Sequence, residues 1–396
     1  MKRYIFLSAI FLFIIPQLFT IHYSLFIEKA GAVSYGIKED IEDTIDDQLK
    51  QIDLTDLENF AKSNNLNDKQ SIKKMINKIL NGELDISGGD FISELTGALL
   101  SEFFGFLPGI ISIIVICVFT SIITGMRPGF MKNSTADIIH FVAYAAILLI
   151  VLITVFDFIM MTNELVTGMQ TLMNIIYPVM LTLLTVLGGT VSAGTYAPLL
   201  TILSTVIVNL MTAVILPLFI ACIIFTIVGN ISNNVKLDKL RKFCSGTAAW
   251  ILGLTFGLFI TAITAYGIIG ANIDTVSIKA AKFALSGYVP ILGGYLSEGF
   301  SVIMAGSMLI KNALGLVSII LLTGYILVPV IKIVVFALVL KLCSGIIEPI
   351  ADKRVSNMLS SLSGNLYLLV TIILGVGFLF FLSIMLMVMT VGAGTL

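Results

Sequence analysis

The sequence predicts an all-α polytopic membrane protein with about six spanning helices, two broken re-entrant segments and a small helical segment outside the membrane. Of its 396 residues, 58% are hydrophobic and only 12% are charged, whereas soluble domains carry about twice that charged fraction. Several runs exceed the roughly 18 apolar residues that indicate a transmembrane helix. An apolar pattern with internal prolines also occurs twice, which predicts two related membrane units.

Residues 1–32 are predicted to form a signal peptide or an N-terminal anchor. Lys2 and Arg3 precede an apolar run from Tyr4 to Ile27, and the small residues Ala30-Gly31-Ala32 follow it. This order of basic, apolar and small residues is typical of a secretory signal. Because the apolar run is long for a signal, an uncleaved anchor is the alternative. In both cases the basic start stays in the cytoplasm and the following segment lies outside.

Residues 33–104 are predicted to form an acidic, helical, extracytoplasmic segment. Between Val33 and Asp90 the chain carries thirteen acidic residues and seven lysines, a net charge of −6. Such a charge argues against binding to nucleic acid or to anionic lipid. Apolar residues recur there every three to four positions, as in Ile72, Ile76 and Ile79, which predicts amphipathic helices.

The next predicted unit, residues 105–170, is a transmembrane hairpin whose short outer loop contains Glu164. The charge pattern constrains the topology of the segments after this hairpin. If Leu172–Gly188 and Pro198–Gly229 both crossed the membrane, four basic residues between Lys236 and Lys242 would lie outside, against the positive-inside rule. We therefore predict that Leu172–Gly188 is re-entrant and is broken at Pro178, because proline cannot donate a helical hydrogen bond.

The rest of the chain is predicted to form two parallel membrane units, residues 171–271 and 272–396. Each unit has the order of a broken hairpin, an entering helix, a basic loop and an exiting helix. Proline-broken segments in matching positions of two units point to a transport path. The paired landmarks, all separated by 112 residues, are Pro178 and Pro290, Pro217 and Pro329, and the basic pairs Arg241-Lys242 and Lys353-Arg354.

Candidate pathway and hinge residues come from these broken segments and from ionisable residues in apolar runs. Backbone breaks at membrane depth are tolerated where they line a wet cavity, and charges there usually face a bundle interior. Glu298 and Lys311 flank one broken segment and could meet there or line a polar vestibule. Lys332 and Lys341 follow Pro329 on an apolar run, and Lys332 could instead extend its charged end to the membrane surface. The predicted set is Tyr177, Pro178, Gly188, Gly189, Tyr288, Pro290, Gly293, Gly294, Glu298, Lys311, Lys332 and Lys341.

The sequence contains no arrangement of residues that is typical of an enzyme. It has no glycine-rich phosphate loop with a lysine, no H-E-x-x-H motif and no G-x-S-x-G motif. The four cysteines form no C-x-x-C pair, so neither a metal nor another cofactor is predicted. Energy for transport would then come from an ion gradient or from a partner.

Five segments of the second half carry a specific resemblance: Ser277–Phe283, Tyr288–Gly293, Ser307–Gly315, Pro329–Phe336 and Lys341-Leu342. Through them, and through its overall plan, the chain resembles the stage III sporulation protein AE family of endospore-forming bacteria. The resemblance implies a multi-pass protein of the mother-cell membrane that faces the forespore. It also implies partners, namely sister proteins of the same sporulation operon, including a secretion-type ATPase that would supply energy, and a forespore channel partner.

The sequence supports three functional hypotheses. The first, which the resemblance implies, is a membrane channel or export-gate-like component of the mother-cell-to-forespore transport complex required for sporulation. The second is an independent secondary transporter of a small solute, because paired broken segments suit it equally well. The third is a non-conducting membrane scaffold for the same complex. The lipid bilayer is a partner in each case, association of several copies is left open, and nucleic acid is not expected to bind.

Overall fold

The computed structural model describes residues 45, 47–66, 71–83, 88–125, 133–231, 237–288 and 293–390. The predicted signal or anchor, residues 1–32, lies outside the described residues, as do Pro290 and Lys236. Every regular element in the described ranges is helical. These elements are α1 (Thr55–Ser63), α2 (Ile72–Leu80), α3 (Gly88–Gly125), α4 (Asn133–Val186), α5 (Thr190–Leu210), α6 (Leu216–Ile231), α7 (Asp238–Tyr288), α8 (Gly293–Ile347) and α9 (Lys353–Met389).

Six apolar segments within the long helices α3 to α9 have the length and hydropathy needed to cross a membrane, with α5 and α6 forming one of them. The all-α polytopic fold predicted from the sequence is therefore confirmed, and so is the number of about six spanning helices. A short π-helical segment, Met211–Ile215, joins α5 to α6. It ends two residues before Pro217, which has no backbone N–H, and such a segment is a known way to accommodate a break in the helical hydrogen-bond ladder.

The structure replaces one predicted loop with a long helix. Helix α4 has 54 residues and continues through both Glu164 and Pro178, so at 1.5 Å per residue it is about 81 Å long. The prediction of a loop at Glu164 is wrong, and the predicted break at Pro178 is absent from the described backbone. The chain reverses at Leu187–Gly189, where Gly188 has a φ of +81°, a conformation that favours glycine. Leu172–Val186 is thus the end of α4.

This single long helix removes the conflict with the positive-inside rule. Each of α4, α5–α6, α7, α8 and α9 turns back on its predecessor, so the turns alternate between the two ends of the bundle. The sulfur of Cys222 lies 3.6 Å from the carbonyl oxygen of Arg241, and Ser344 bonds to Ser356. Asn365 of α9 donates to Thr226 of α6 at 2.8 Å, which joins these two turns. Both basic pairs therefore lie at one end of the bundle, which we call the basic end.

Three predicted domain boundaries lie inside continuous helices. The boundary at 104–105 is within α3, that at 170–171 is within α4, and that at 271–272 is within α7. The two predicted units do have the same succession of helices, because α5–α6 and α7 form one antiparallel hairpin and α8 and α9 form another. The parallel repeat itself stays a prediction. The paired prolines Pro217 and Pro329 also differ in their surroundings. Pro217 follows the π-helical segment, whereas Pro329 lies within an uninterrupted helix.

Helix α9 is the centre of the bundle and α3 is its periphery. In the apolar window of α9, 67% of the residues are buried, against 56% for α8 and only 11% for α3. The small helices α1 and α2 pack on α8 and α4 far from the basic end. There the rings of Phe60 and Tyr325 lie 5.4 Å apart, and Gln48 bonds to the backbone of Ile303 and to the hydroxyl of Ser307.

Large exposed apolar side chains form a belt around the half of the bundle nearest the basic end. On α4 they run from Ile138 to Met160, which corresponds to about 33 Å of helix and matches the roughly 30 Å of a bilayer's hydrocarbon core. The belt continues on α7 from Leu240 to Ile260 and on α8 from Val328 to Ile346. We call this region the apolar belt.

Candidate functional site

Beyond the apolar belt, the exposed side of α4 becomes polar. The exposed positions recur every three to four residues, so they form one row along the helix. The residues between them, such as Met169, Met173 and Met180, are buried in the core. The exposed row is Glu164, Thr167, Thr171, Asn174, Pro178, Thr182 and Thr185. A single face of this half-helix is therefore polar while the others are apolar.

Helix α5 carries a matching row. Its exposed positions with the same spacing are Gly194, Pro198, Thr201, Thr205 and Asn209. Gln170 of α4 donates to the hydroxyl of Thr205 at 3.3 Å, which fixes the register of the two antiparallel helices. This register sets Asn174 opposite Thr201 and Pro178 beside Pro198. We call the two rows together, with Gln170, the hairpin face.

The hairpin face presents oxygen lone pairs and carries one formal charge, at Glu164. The threonine hydroxyls donate to carbonyl oxygens of their own helix, for example Thr171 to Thr167 at 3.1 Å and Thr201 to Ala197 at 2.8 Å. Each such hydroxyl keeps acceptor capacity directed away from the helix. Pro178 and Pro198 have no N–H, so neither can donate to the carbonyl four residues earlier. The face therefore suits contact with water, with a hydrated solute or with polar groups of another protein.

The predicted hinge residues of the first unit lie around this hairpin in different roles. Pro178 is on the hairpin face, whereas the neighbouring Tyr177 is buried. Gly188 makes the reversal and Gly189 precedes the first residue of α5. The structure thus places Pro178 on an exposed polar surface and Gly188 at the turn between α4 and α5.

The predicted residues of the second unit surround the junction of α7 and α8. Tyr288 ends α7, while Gly293 and Gly294 begin α8. Glu298 and Lys311 both belong to the continuous helix α8, in which thirteen residues separate their Cα positions by about 20 Å. The prediction that these two side chains could meet is therefore wrong.

Lys311 is fully buried and its ammonium group donates to the carbonyl oxygen of Thr390 at the end of α9. A cation at a helix C-terminus is stabilised by the helix dipole and by the unpaired carbonyls there. Among the described residues no carboxylate lies within ion-pair distance of it. Thr390 also donates to the hydroxyl of the buried Tyr196 at 3.2 Å. Lys311 thus fastens α9 to α8 and, through Thr390, to α5.

The two remaining predicted lysines are in separate places. Lys341 is exposed and donates to the hydroxyl of Ser360, which links α8 to α9 near the basic end. Lys332 is half-buried and lines a cavity with Asp157. The structure therefore does not gather the predicted lysines into one site.

Comparison with known proteins identifies the family. The family profile described as stage III sporulation protein AE matches residues 70–391, which is most of the chain. The chain belongs to the stage III sporulation protein AE family. It is similar to the stage III sporulation protein AE of Bacillus subtilis (strain 168), with 23% identity over 317 residues that cover 80% of this chain and 79% of that protein. No solved structure matches it.

The resemblance predicted from Ser277–Phe283 and the later segments is thus confirmed, and a place in sporulation follows from the family. The matched range of this stage III sporulation protein AE family member contains the whole hairpin face, Lys311 and the apolar belt. The family match and the six apolar helices together show that the chain is a multi-pass membrane protein of a sporulation family.

Sequence reasoning missed two features of this family member. One is the hairpin face, for which the threonines at three- and four-residue spacing in residues 164–185 and 194–209 were an available signal. The other is Asp274, a fully buried carboxylate of α7 that accepts the backbone N–H groups of Val191 and Ser192 at 3.1 and 3.0 Å. It caps the first turn of α5, and only the tertiary structure brings those residues together.

Proposed function

We propose that this protein is a channel or export-gate-like component of the mother-cell-to-forespore transport complex, and that its hairpin face lines a water-filled path. The observation that carries the proposal is the matched pair of polar rows on α4 and α5. Buried polar groups without partners are costly in lipid. The hairpin face lies beyond the apolar belt, so its threonine, asparagine and glutamine side chains contact water or polar protein groups rather than acyl chains.

The chemistry of the face suits conduction better than tight binding. Its groups are hydroxyl and amide oxygens, and a path must bind a solute weakly enough to release it. One hairpin cannot enclose a path, so further copies of the chain or the sister proteins of the operon complete the wall. The sequence offers no nucleotide site, so in this proposal the secretion-type ATPase supplies the energy, and the forespore partner continues the path through the second membrane.

Cysteine accessibility tests the proposal at positions one residue apart on the same helix. The four native cysteines, all buried, are first replaced by alanine. Thr201→Cys and Thr205→Cys place a thiol on the hairpin face, whereas Ile202→Cys and Val206→Cys place it on the adjacent exposed apolar surface. In the assembled complex of sporulating cells, where partner chains cover the exposed apolar surface, we expect a charged thiol reagent to label the first pair several-fold faster than the second.

A functional arm separates a path from a scaffold. In sporulating cells, attachment of a bulky thiol reagent at Thr201→Cys should stop forespore development, while the same reagent on Ile202→Cys should leave spore counts unchanged. Equal labelling rates for the two pairs would contradict the proposal that the hairpin face lines a water-filled path. Fast labelling of Thr201→Cys with full spore formation would favour the scaffold hypothesis, and solute flux through liposomes that contain this protein alone would favour the independent transporter.

A further inference from the structure

A cavity of about 500 Å³ lies between α3, α4 and α8 within the apolar belt. Most of its wall is apolar, and two ionisable side chains, Asp157 of α4 and Lys332 of α8, share it. Neither forms an ion pair within 4.0 Å in the part of the chain that the structure describes. An acid and a base that line one membrane cavity without pairing are functional candidates.

Three aromatic rings fix the level of the charges along the bundle. Phe106, Phe158 and Phe336 contact one another with centroid distances of 6.3, 4.9 and 5.2 Å. Asp157 is adjacent to Phe158, and Lys332 lies about one turn, or 6 Å, from Phe336 toward the end opposite the basic end. Both charges therefore lie at the end of the cavity that is farther from the basic end.

The rest of the cavity runs toward the basic end and is apolar. On α4, Ile150 lies about two turns, or 12 Å, from Phe158 in the direction of the basic end. On α3, Ile113 lies about as far from Phe106 in the same direction. Two glycines of α3 open the space between the helices. A Cβ atom at Gly105 would have no neighbour within 4 Å, whereas one at Gly109 would reach van der Waals contact with the Ile150 Cγ2 methyl at 4.0 Å, so Gly109 and Ile150 form the floor of the groove. The cavity is thus an apolar groove with an acid and a base at one mouth.

We propose that this cavity binds one phospholipid whose headgroup carries both an ammonium and a phosphate, of the phosphatidylethanolamine type. Lys332 pairs with the phosphate, Asp157 accepts hydrogen bonds from the ammonium, and one acyl chain lies in the groove past Gly109. The charges are near the end of the apolar belt, at Met160 on α4, where headgroups lie. A cavity of about 500 Å³ accommodates an acyl chain along its floor, whereas a helix, which is 10–12 Å across with its side chains, is too wide for it.

Charge complementarity selects this headgroup over a purely anionic one. An anionic lipid such as phosphatidylglycerol can pair with Lys332 but would bring a second negative charge toward Asp157. Native mass spectrometry of the full-length, detergent-purified protein, titrated with each of the two lipids, measures the difference. We expect the wild type to retain phosphatidylethanolamine at least about fivefold better than phosphatidylglycerol, the size of one favourable charge contact near a membrane surface.

Two substitutions test the assignment of the headgroup contacts. Asp157→Asn should abolish the preference for phosphatidylethanolamine, and Lys332→Gln should weaken the retention of both lipids. A wild type that prefers phosphatidylglycerol, or an Asp157→Asn variant that keeps the wild-type preference, would overturn the proposal.

A matched pair of glycine variants on α3 tests the groove. Gly109→Leu fills it, whereas Gly97→Leu adds the same side chain at a position with no atom within 4 Å of its Cβ and away from the cavity. We expect Gly109→Leu to lower the retention of both lipids about tenfold and Gly97→Leu to leave it unchanged. Equal retention by the two variants would refute the groove. If Gly109→Leu fails to fold, the headgroup preference of Asp157→Asn decides the question alone.

Discussion

The α8/α9 hairpin and the α4/α5 hairpin use the same kinds of polar residue in opposite ways. In α8/α9 the polar side chains face inward and bond across helices, as when Ser363 donates to the carbonyl oxygen of Ala337 at 2.8 Å or Asn365 donates to Thr226. In α4/α5 the residues of the hairpin face point outward, and apart from the Gln170–Thr205 bond its threonines bond to their own helix. The polar side chains of α8/α9 therefore stabilise the fold, whereas those of the hairpin face remain available to water, a solute or another protein.

This difference separates stability from function in a testable way. Interhelical hydrogen bonds in membrane proteins contribute about 0.6 kcal/mol each on average, and close packing contributes more. Substitutions inside α8/α9 should therefore change the melting temperature of the protein. Substitutions on the hairpin face should leave it unchanged and affect spore formation.

The largest effect is expected at Gly315 of α8, which packs tightly against Val388 of α9. A Cβ atom there would overlap the Cγ2 methyl of Val388, so Gly315→Ala should destabilise the protein by about 2–3 kcal/mol, as overpacked cores do. Thermal unfolding in detergent measures this loss. Gly345→Ala is the control, because its Cβ would have no neighbour within 4 Å. Equal melting temperatures for the two variants would mean that this contact is looser than the structure indicates.

The second prediction makes the same substitution in both hairpins. Asn365→Leu removes a buried interhelical bond and leaves the Thr226 hydroxyl without that donor, so it should cost about 1 kcal/mol. Asn174→Leu, on the hairpin face, should change stability by less than about 0.5 kcal/mol and yet lower spore counts strongly at normal protein levels. The measurements are thermal unfolding and spore counts with immunoblots. The comparison fails if both variants lose stability and spores to the same extent.

The sequence was sufficient for the membrane class, because long uncharged apolar runs are rare in soluble domains. It was insufficient for the length of α4. Glu164 and Pro178 were interpreted as a loop and a break, yet both lie on an exposed face where a charge can be solvated and a missing N–H costs little. Single-residue signals of this kind depend on which side of the helix faces outward, and that is decided by tertiary packing.

The candidate residues divide for the same reason. Pro178 and Gly188 were found because proline and glycine act through the backbone, which is a local property. Lys311 was found by its charge, but its partner Thr390 lies 79 residues away. Asp274 was missed because the N–H groups that it accepts are more than 80 residues distant. Pairings over such distances in sequence are visible only in the folded chain.

A third prediction concerns how the returning helix of each hairpin begins. Helix α5 has no local side-chain cap, since Gly189 precedes it, and Asp274 of α7 supplies the acceptor. Asp274→Asn keeps one acceptor oxygen but removes the charge that the helix N-terminus stabilises, which should cost about 1 kcal/mol. Hydrogen–deuterium exchange should become faster at residues 191–194, and the melting temperature should fall. Unchanged exchange there would show that water replaces the carboxylate.

The smallest effect is expected at the corresponding position of α9. Asp352 is adjacent to this helix in sequence and accepts the backbone N–H of Arg354 at 2.8 Å. Asp352→Ala should cost about 0.5–1 kcal/mol and speed exchange only in the first turn of α9, because the rest of that helix is held by the core. Asp274→Asn differs in kind, since it also loosens the contact between α7 and α5. If Asp352→Ala instead accelerated exchange along all of α9, the stability of the α8/α9 hairpin would depend on its local cap rather than on its core. The contrast drawn above between the α8/α9 and α4/α5 hairpins would then be wrong.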